Sequence, residues 1–203
     1  MVAIIDYGVG NLFSLGSSFA AIGEEAAVTD NPAVIAQADR IVLPGVGAFA
    51  DAMAKLHATG LDSVLRAEVQ KGKPVLGICL GMQMLFETSF EYGVHEGLAL
   101  IKGNIKPIRD VIAPDLKIPH IGWNALHFTK ADCPLFRHLS EGDYVYFVHS
   151  FYAADCDEAV TATAHYSVPL TAAVQSGNVF GCQFHPEKSG ETGLKILKAF
   201  CEV

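Results

Sequence analysis

The chain has 203 residues, 51% of them hydrophobic, enough to bury one sizeable core and short for two independent ones. Its net charge of −8, with no cluster of Lys and Arg, sets nucleic acid and anionic membrane aside as main partners. The five cysteines, Cys79, Cys133, Cys156, Cys182 and Cys201, are odd in number and form no C-x-x-C pair, which argues against a disulfide framework or a four-thiolate zinc site and for a reducing, cytoplasmic setting.

From the N-terminus, Val2–Ile5 reads as a buried strand. It lacks the basic flank of a secretory leader, and no apolar run approaches the roughly 18 to 20 residues that span a bilayer. Asn11 is a candidate cap for a helix with Leu12, Leu15, Phe19 and Ile22 at helical spacing. Glu25–Thr29 and Arg40–Leu43 read as strands, Ala48–Leu56 and Leu61–Val69 as helices, Pro74–Ile78 as a strand, and Leu80–Phe86 as a helix beginning directly after Cys79. This alternation predicts an α/β fold with a mostly parallel sheet.

After residue 120 the rhythm changes. Trp123–Phe128, Tyr144–Val148, Val160–Ala164, Thr171–Gln175 and Val179–Phe184 follow one another with turn residues and little helix between them, which predicts an antiparallel extension of the sheet. An amphipathic helix over Gly193–Phe200 closes the chain. Gly103–Pro119 is the least regular stretch and reads as a surface excursion. No repeat or linker divides residues 1–203, which read as a single domain.

Cys79 sits between a strand and a helix with Gly77 and Gly81 on either side, the pattern of a nucleophile elbow. A free cysteine is ordinarily a small buried hydrophobe, so a catalytic reading needs a base. His185 and Glu187 flank Pro186 after an apolar strand, where residues two apart point to one side and a carboxylate can orient an imidazole. Taken alone, His-Pro-Glu is also an ordinary turn. Cys182 and His185 lack the partners of a metal site. Pro44-Gly45-Val46-Gly47 can turn backbone N–H groups toward a developing oxyanion, with the Leu80 N–H as the second donor, although such a segment is also a plain connection. Gln83 and Glu87, one helical turn apart, can share a face toward a substrate. His57, His95, His120, His127, His138, His149 and His165 are scattered and read as surface or core residues.

Gly-Ile-Cys-Leu-Gly-Met-Gln at 77–83, Pro-Gly-Val-Gly at 44–47 and Phe-His-Pro-Glu at 184–187, in that order, resemble the class I (triad) glutamine amidotransferases over essentially the whole chain. Asp6–Asn11, Pro119–Asn124 and Tyr146–Ser150 resemble the branch of glutaminases that serves imidazole glycerol phosphate synthases in histidine biosynthesis. The resemblance implies a flavodoxin-like three-layer fold, a Cys79–His185–Glu187 triad, and a glutamyl thioester on Cys79. It implies glutamate and ammonia as products, with no metal or organic cofactor. It places Gly45, Val46, Gly47 and Leu80 at the oxyanion, and Gln83, Glu87 and the backbone of His149, Ser150 and Phe151 around glutamine. A cyclase partner, a (β/α)₈ barrel forming a heterodimer, is implied against Asn11, Trp123, Tyr144 and Lys188. Ile121 and Phe151 depart from the methionine and tyrosine expected there. Glutaminases of the anthranilate, aminodeoxychorismate, pyridoxal phosphate and guanylate pathways, a cysteine peptidase or γ-glutamyl hydrolase, and a catalytically inactive docking subunit are the competing readings.

Overall fold

The computed structural model describes residues 1–203. Strands β1 (Val2–Ile5), β2 (Ala26–Thr29), β3 (Arg40–Leu43) and β4 (Val75–Ile78) alternate with α1 (Leu12–Ala21), α2 (Pro32–Gln37), and the pair α3 (Phe49–Ala58) and α4 (Leu61–Gln70). A short helix, α5 (Leu80–Met84), follows β4 after the single residue Cys79. Then come β5 (Thr88–Ser89), β6 (His95–Glu96), β7 (Asn104–Pro107), β8 (His120–Ala125), β9 (His127–Phe128), β10 (Tyr144–His149) and β11 (Phe151–Ala154). The chain ends with β12 (Val160–Tyr166), β13 (Val168–Ser176), β14 (Val179–Cys182) and α6 (Gly190–Cys201).

The main sheet has eight strands in the order β2-β1-β3-β4-β14-β13-β12-β9. The first five run parallel, and β13, β12 and β9 extend the sheet antiparallel. The parallel order, with β14 as fifth strand, is that of a flavodoxin-like sheet, which presents its ligand at the carboxyl ends of the strands. Every residue of β1, β4 and β14 is buried, because helices cover both faces of these strands. Alternate residues serve opposite layers. Ala3, Ile5, Ile41 and Leu43 pack with α2, α3 and α4, whereas Val2, Ile4, Val42 and Leu76 pack with α1 and α6. No helix is long and apolar enough to cross a membrane.

Several expectations are corrected. Tyr144–Val148 does not extend the main sheet, because β10 pairs with β8 in a separate two-stranded ribbon. The strand expected over Trp123–Phe128 breaks at buried Leu126, whose side chain turns into the core beneath α6 and leaves β8 and β9 in different sheets. The Gly103–Pro119 stretch is not only an excursion. It contributes β7 to a four-stranded sheet in the order β11-β7-β5-β6, and Ile105 and Ile108 are fully buried. Asn11 makes no side-chain capping bond; α1 is held instead by Leu15 and Phe19 against the sheet. The helix after Cys79 stops at Met84, two residues short of the expected Phe86.

Candidate active site

Three loops leave the carboxyl ends of the adjacent parallel strands β3, β4 and β14, and each brings one part of the site. Pro44–Gly47 follows β3, Cys79 follows β4, and His185 and Glu187 follow β14. Their convergence follows from the register, which pairs Leu43 with Gly77 and Ile78 with Cys182.

Cys79 adopts φ 54° and ψ −111°. For a residue with a Cβ this is a strained conformation, worth about 1–3 kcal/mol, that persists only where the surroundings impose it. The surroundings here are specific. The Cys79 N–H donates to the Cys182 carbonyl at 2.8 Å, and the chain turns at once into α5. A Cβ on Gly81 would lie 1.9 Å from the Leu43 carbonyl oxygen, and one on Gly45 would lie 2.6 Å from the Gly81 nitrogen. The two glycines therefore let the β3 loop press against the start of α5. Gly81→Ala is expected to destabilise the fold by about 2–4 kcal/mol, since backbone rather than a flexible side chain must yield. Chemical denaturation monitored by circular dichroism measures this.

His185 Nδ1 lies 2.8 Å from Glu187 Oε1, and the two side chains are 2% and 1% exposed. Burial alone would lower the histidine pKa, but the sulfur of Cys79 and the carboxylate of Glu187 outweigh it and push it up to about 9. With Nδ1 engaged by the carboxylate, Nε2 is the nitrogen left to face the thiol. The histidine backbone is pinned as well. Its N–H donates to the Tyr146 carbonyl at 3.0 Å, and the His185 carbonyl accepts from the Ser189 hydroxyl at 2.7 Å. Pro186 sits in the first turn of the short helix Pro186–Lys188 that returns Glu187 toward the ring.

Cys79 and His185 share a pocket of about 340 Å³ with Val46, Gly47, Leu80, Gln83 and the His149–Phe151 segment. Neither the Val46 nor the Leu80 N–H has an acceptor within the chain, which leaves both free for a ligand oxygen. Gly45 lies beneath, buried against α5, and is a packing contact rather than a lining residue. The Tyr7 hydroxyl donates to the Pro44 carbonyl at 2.8 Å and anchors the start of this loop. Gln83 Nε2 donates to the Phe151 carbonyl at 3.2 Å and to Gln183 Oε1 at 3.0 Å.

Glu87 is not brought to the pocket. With α5 ended at Met84, it lies beyond the helix, is exposed, and accepts from the Gly103 N–H at 2.9 Å. The carboxylate at the pocket is Glu91, missed in the sequence because it lies in an irregular loop with no periodic neighbour. Burial raises the Glu91 pKa, the Phe49 N–H bond at 2.6 Å opposes that rise, and Oε1 is left unbonded. Gln183 was also missed, although a glutamine two residues before His185 in an apolar strand is a readable signal. A larger cavity of about 550 Å³ is lined by Asp155, Cys156, Asp157 and Glu158, and contains no nucleophile and base pair.

Trp123 and Tyr144 are more than half exposed on one face of the β8–β10 ribbon, together with Ile121. Lys188 is exposed at the pocket rim, 6.0 Å from the Tyr146 ring centroid, and Asn11 is half-buried at the start of α1.

The profile of "Glutamine amidotransferase class-I" matches residues 3–203. The chain belongs to the class I glutamine amidotransferase family. Like other members it is an enzyme that takes nitrogen from glutamine. Relatives named "Imidazole glycerol phosphate synthase subunit HisH" are 50% identical in Oceanobacillus iheyensis, over 100% of this chain and 99% of that protein, and 48% identical in Caldanaerobacter subterraneus subsp. tengcongensis, over 100% and 98%. The amidotransferase fold is also that of a solved structure described as "Crystal structure of glutamine amidotransferase", with TM-score 0.77 at 16% identity over 100% of this chain and 98% of that one. A second, described as "Structure of PurLQS from Thermotoga maritima", gives TM-score 0.74 at 20% identity over 99% and 97%.

Proposed function

We infer that residues 1–203 act as one glutamine amidotransferase domain, the glutaminase subunit of imidazole glycerol phosphate synthase. The observation that carries this reading is an identity near one half, along the full chain, to subunits of that synthase. Cys79, His185 and Glu187 are the proposed triad. His185 takes the thiol proton, Sγ attacks the side-chain amide carbon, and the Val46 and Leu80 N–H groups hold the oxyanion. As the carbon–nitrogen bond breaks, His185 returns the proton to the departing nitrogen and ammonia leaves. Water then attacks the thioester, gives its proton to His185, and releases glutamate as Sγ recovers that proton.

Glu91 replaces Glu87 in this reading as the anchor of the glutamine α-ammonium, since it is the carboxylate at the pocket with a free oxygen. Glu91→Gln is expected to raise KM for glutamine about 10- to 100-fold with kcat nearly retained, as loss of a charge-assisted hydrogen bond predicts. Steady-state glutamate release checks it.

The proposed partner is the cyclase subunit, a (β/α)₈ barrel that receives the ammonia and docks as a heterodimer against Trp123, Tyr144, Asn11 and Lys188. The exposed aromatic face of the ribbon beside the pocket supports that docking. The test is to mix this chain with the cyclase subunit and its phosphoribosyl nucleotide substrate, and follow cyclisation with glutamine as the only nitrogen source. Glutamine-supported turnover that requires this chain is expected. Glutaminase activity indifferent to the cyclase would move the chain to another branch of the family, and no hydrolysis under any condition would leave only a docking role.

A further inference from the structure

The ribbon has an inner face as well as an outer one. Register pairs Trp123 with Tyr146 and Ile121 with Val148, so these side chains share the outer face, while His120 and Asn124 on β8 and Phe147 and His149 on β10 point inward. On that inner face three polar side chains form a continuous line. Asn124 Nδ2 lies 3.2 Å from His120 Nε2, His120 Nδ1 lies 2.9 Å from His149 Nε2, and His149 Nδ1 lies 2.8 Å from the Phe151 carbonyl. The carbonyl at the end of the line also receives Gln83 Nε2.

Each proton in the line has one place to be. The Phe151 carbonyl can only accept, so His149 carries its proton on Nδ1 and offers Nε2 as acceptor. His120 must then donate from Nδ1 and accept at Nε2, and the Asn124 amide, whose oxygen already accepts from the Ala125 N–H at 2.8 Å, supplies the donor. Burial keeps both rings neutral: it lowers the His120 pKa and, against the opposing Phe151 bond, takes that of His149 down to about 3. The His120 ring is clamped between Phe147 and Tyr166, with centroids 4.9 and 4.4 Å away. None of these groups is a nucleophile or a base for the reaction.

We propose that Asn124, His120 and His149 form a positioning relay that holds the Phe151 carbonyl against Gln83 and so shapes the seat for the substrate, with its far end on the strand that carries Trp123. The proposal rests on the reading of this pocket as a glutamine site. Without the His120 donor, a buried acceptor on His149 is left unpaired, and residues 149–151 relax to satisfy it. The loss is felt in substrate binding rather than in the chemical step.

The test uses His120→Phe, which keeps an aromatic ring between Phe147 and Tyr166 but removes both nitrogens. In the complex with the cyclase subunit, KM for glutamine is expected to rise about tenfold with kcat changed less than about twofold. His120→Asn, whose amide N–H takes the place of Nδ1–H, is expected to restore most of the affinity. In the isolated chain, ¹⁵N spectra of the His149 ring should show a protonated Nδ1, with an Nε2 resonance that moves in His120→Phe and returns in His120→Asn. An unchanged KM, or an Nε2 resonance that does not move, overturns the proposal. If His120→Phe does not fold, His120→Leu, which also lacks both ring nitrogens, carries the same two readouts in the same directions. If the wild-type complex hydrolyses no glutamine, the functional reading falls, and the His149 spectrum still decides the relay.

Discussion

Cys79→Ala in the complex is expected to abolish glutamine-dependent cyclisation while cyclisation supported by added ammonium persists. The Cys79 thiol is the nucleophile that shares the pocket with His185, whose ring is held by the buried Glu187 carboxylate. Removing a nucleophile that acts as a unit with its base costs on the order of 10⁴-fold or more in kcat. Alanine at this position removes only the sulfur, and the turn it occupies is held from outside by the Cys79 N–H bond to Cys182 and by the Gly45–Gly81 contact. Folding and docking should therefore survive. The ammonium assay shows that the cyclase stays competent, and co-elution of Cys79→Ala with the cyclase on size-exclusion chromatography separates the loss of chemistry from a loss of assembly. A mutant retaining more than a few per cent of the glutamine-dependent rate would remove Cys79 from the mechanism.

Glu187→Gln is expected to lower kcat/KM for glutamine by about 10²- to 10⁴-fold, as loss of the orienting group of a triad does. It should also move the pH profile in a stated direction. With its pKa pushed up to about 9 by the Cys79 sulfur and the Glu187 carboxylate against the effect of burial, His185 keeps the proton it takes from the thiol until it is passed on. The protonated ring is the acid that the departing nitrogen needs, so activity should fall as pH rises through about 9. Removing the negative charge of Glu187 lowers that pKa, and the alkaline limb should shift to lower pH. The same sign governs stability: a histidine pKa raised above its unfolded value stabilises the fold at low pH, and that contribution fades as pH climbs through the folded value. A profile whose alkaline limb stays in place in Glu187→Gln would detach the carboxylate from His185 protonation.

What could be read from the chain followed from how local each signal was. Val2–Ile5, Arg40–Leu43 and Pro74–Ile78 are short apolar runs because parallel strands are covered on both faces, and burial from both sides leaves a mark in sequence. Cys79, His185 and the Pro44–Gly47 loop were legible because each sits in its own motif at a strand end. Fold topology then brings these ends together without further instruction.

The second half was less legible because an alternating strand records which side is buried and not which strand lies beside it. Tyr144–His149 alternates cleanly, yet it pairs with β8 in a ribbon apart from the main sheet. Glycine and prolines masked β7, whose buried Ile105 is set by a sheet assembled from distant segments. Glu87 was singled out by an i, i+4 argument that presumed a helix two residues longer than α5, and no such spacing pointed to Glu91. His120 and His149 looked unrelated because only the antiparallel register of β8 and β10 sets them face to face.

Hydroxylamine trapping during turnover by the complex decides whether glutamine is opened through an acyl-enzyme on Cys79. Hydroxylamine competes with water for the thioester, so γ-glutamyl hydroxamate is expected at the expense of glutamate, with none formed by Cys79→Ala. Glutamate released at the full rate with no hydroxamate at any hydroxylamine concentration would mean that water attacks the amide directly and that no thioester forms on Cys79.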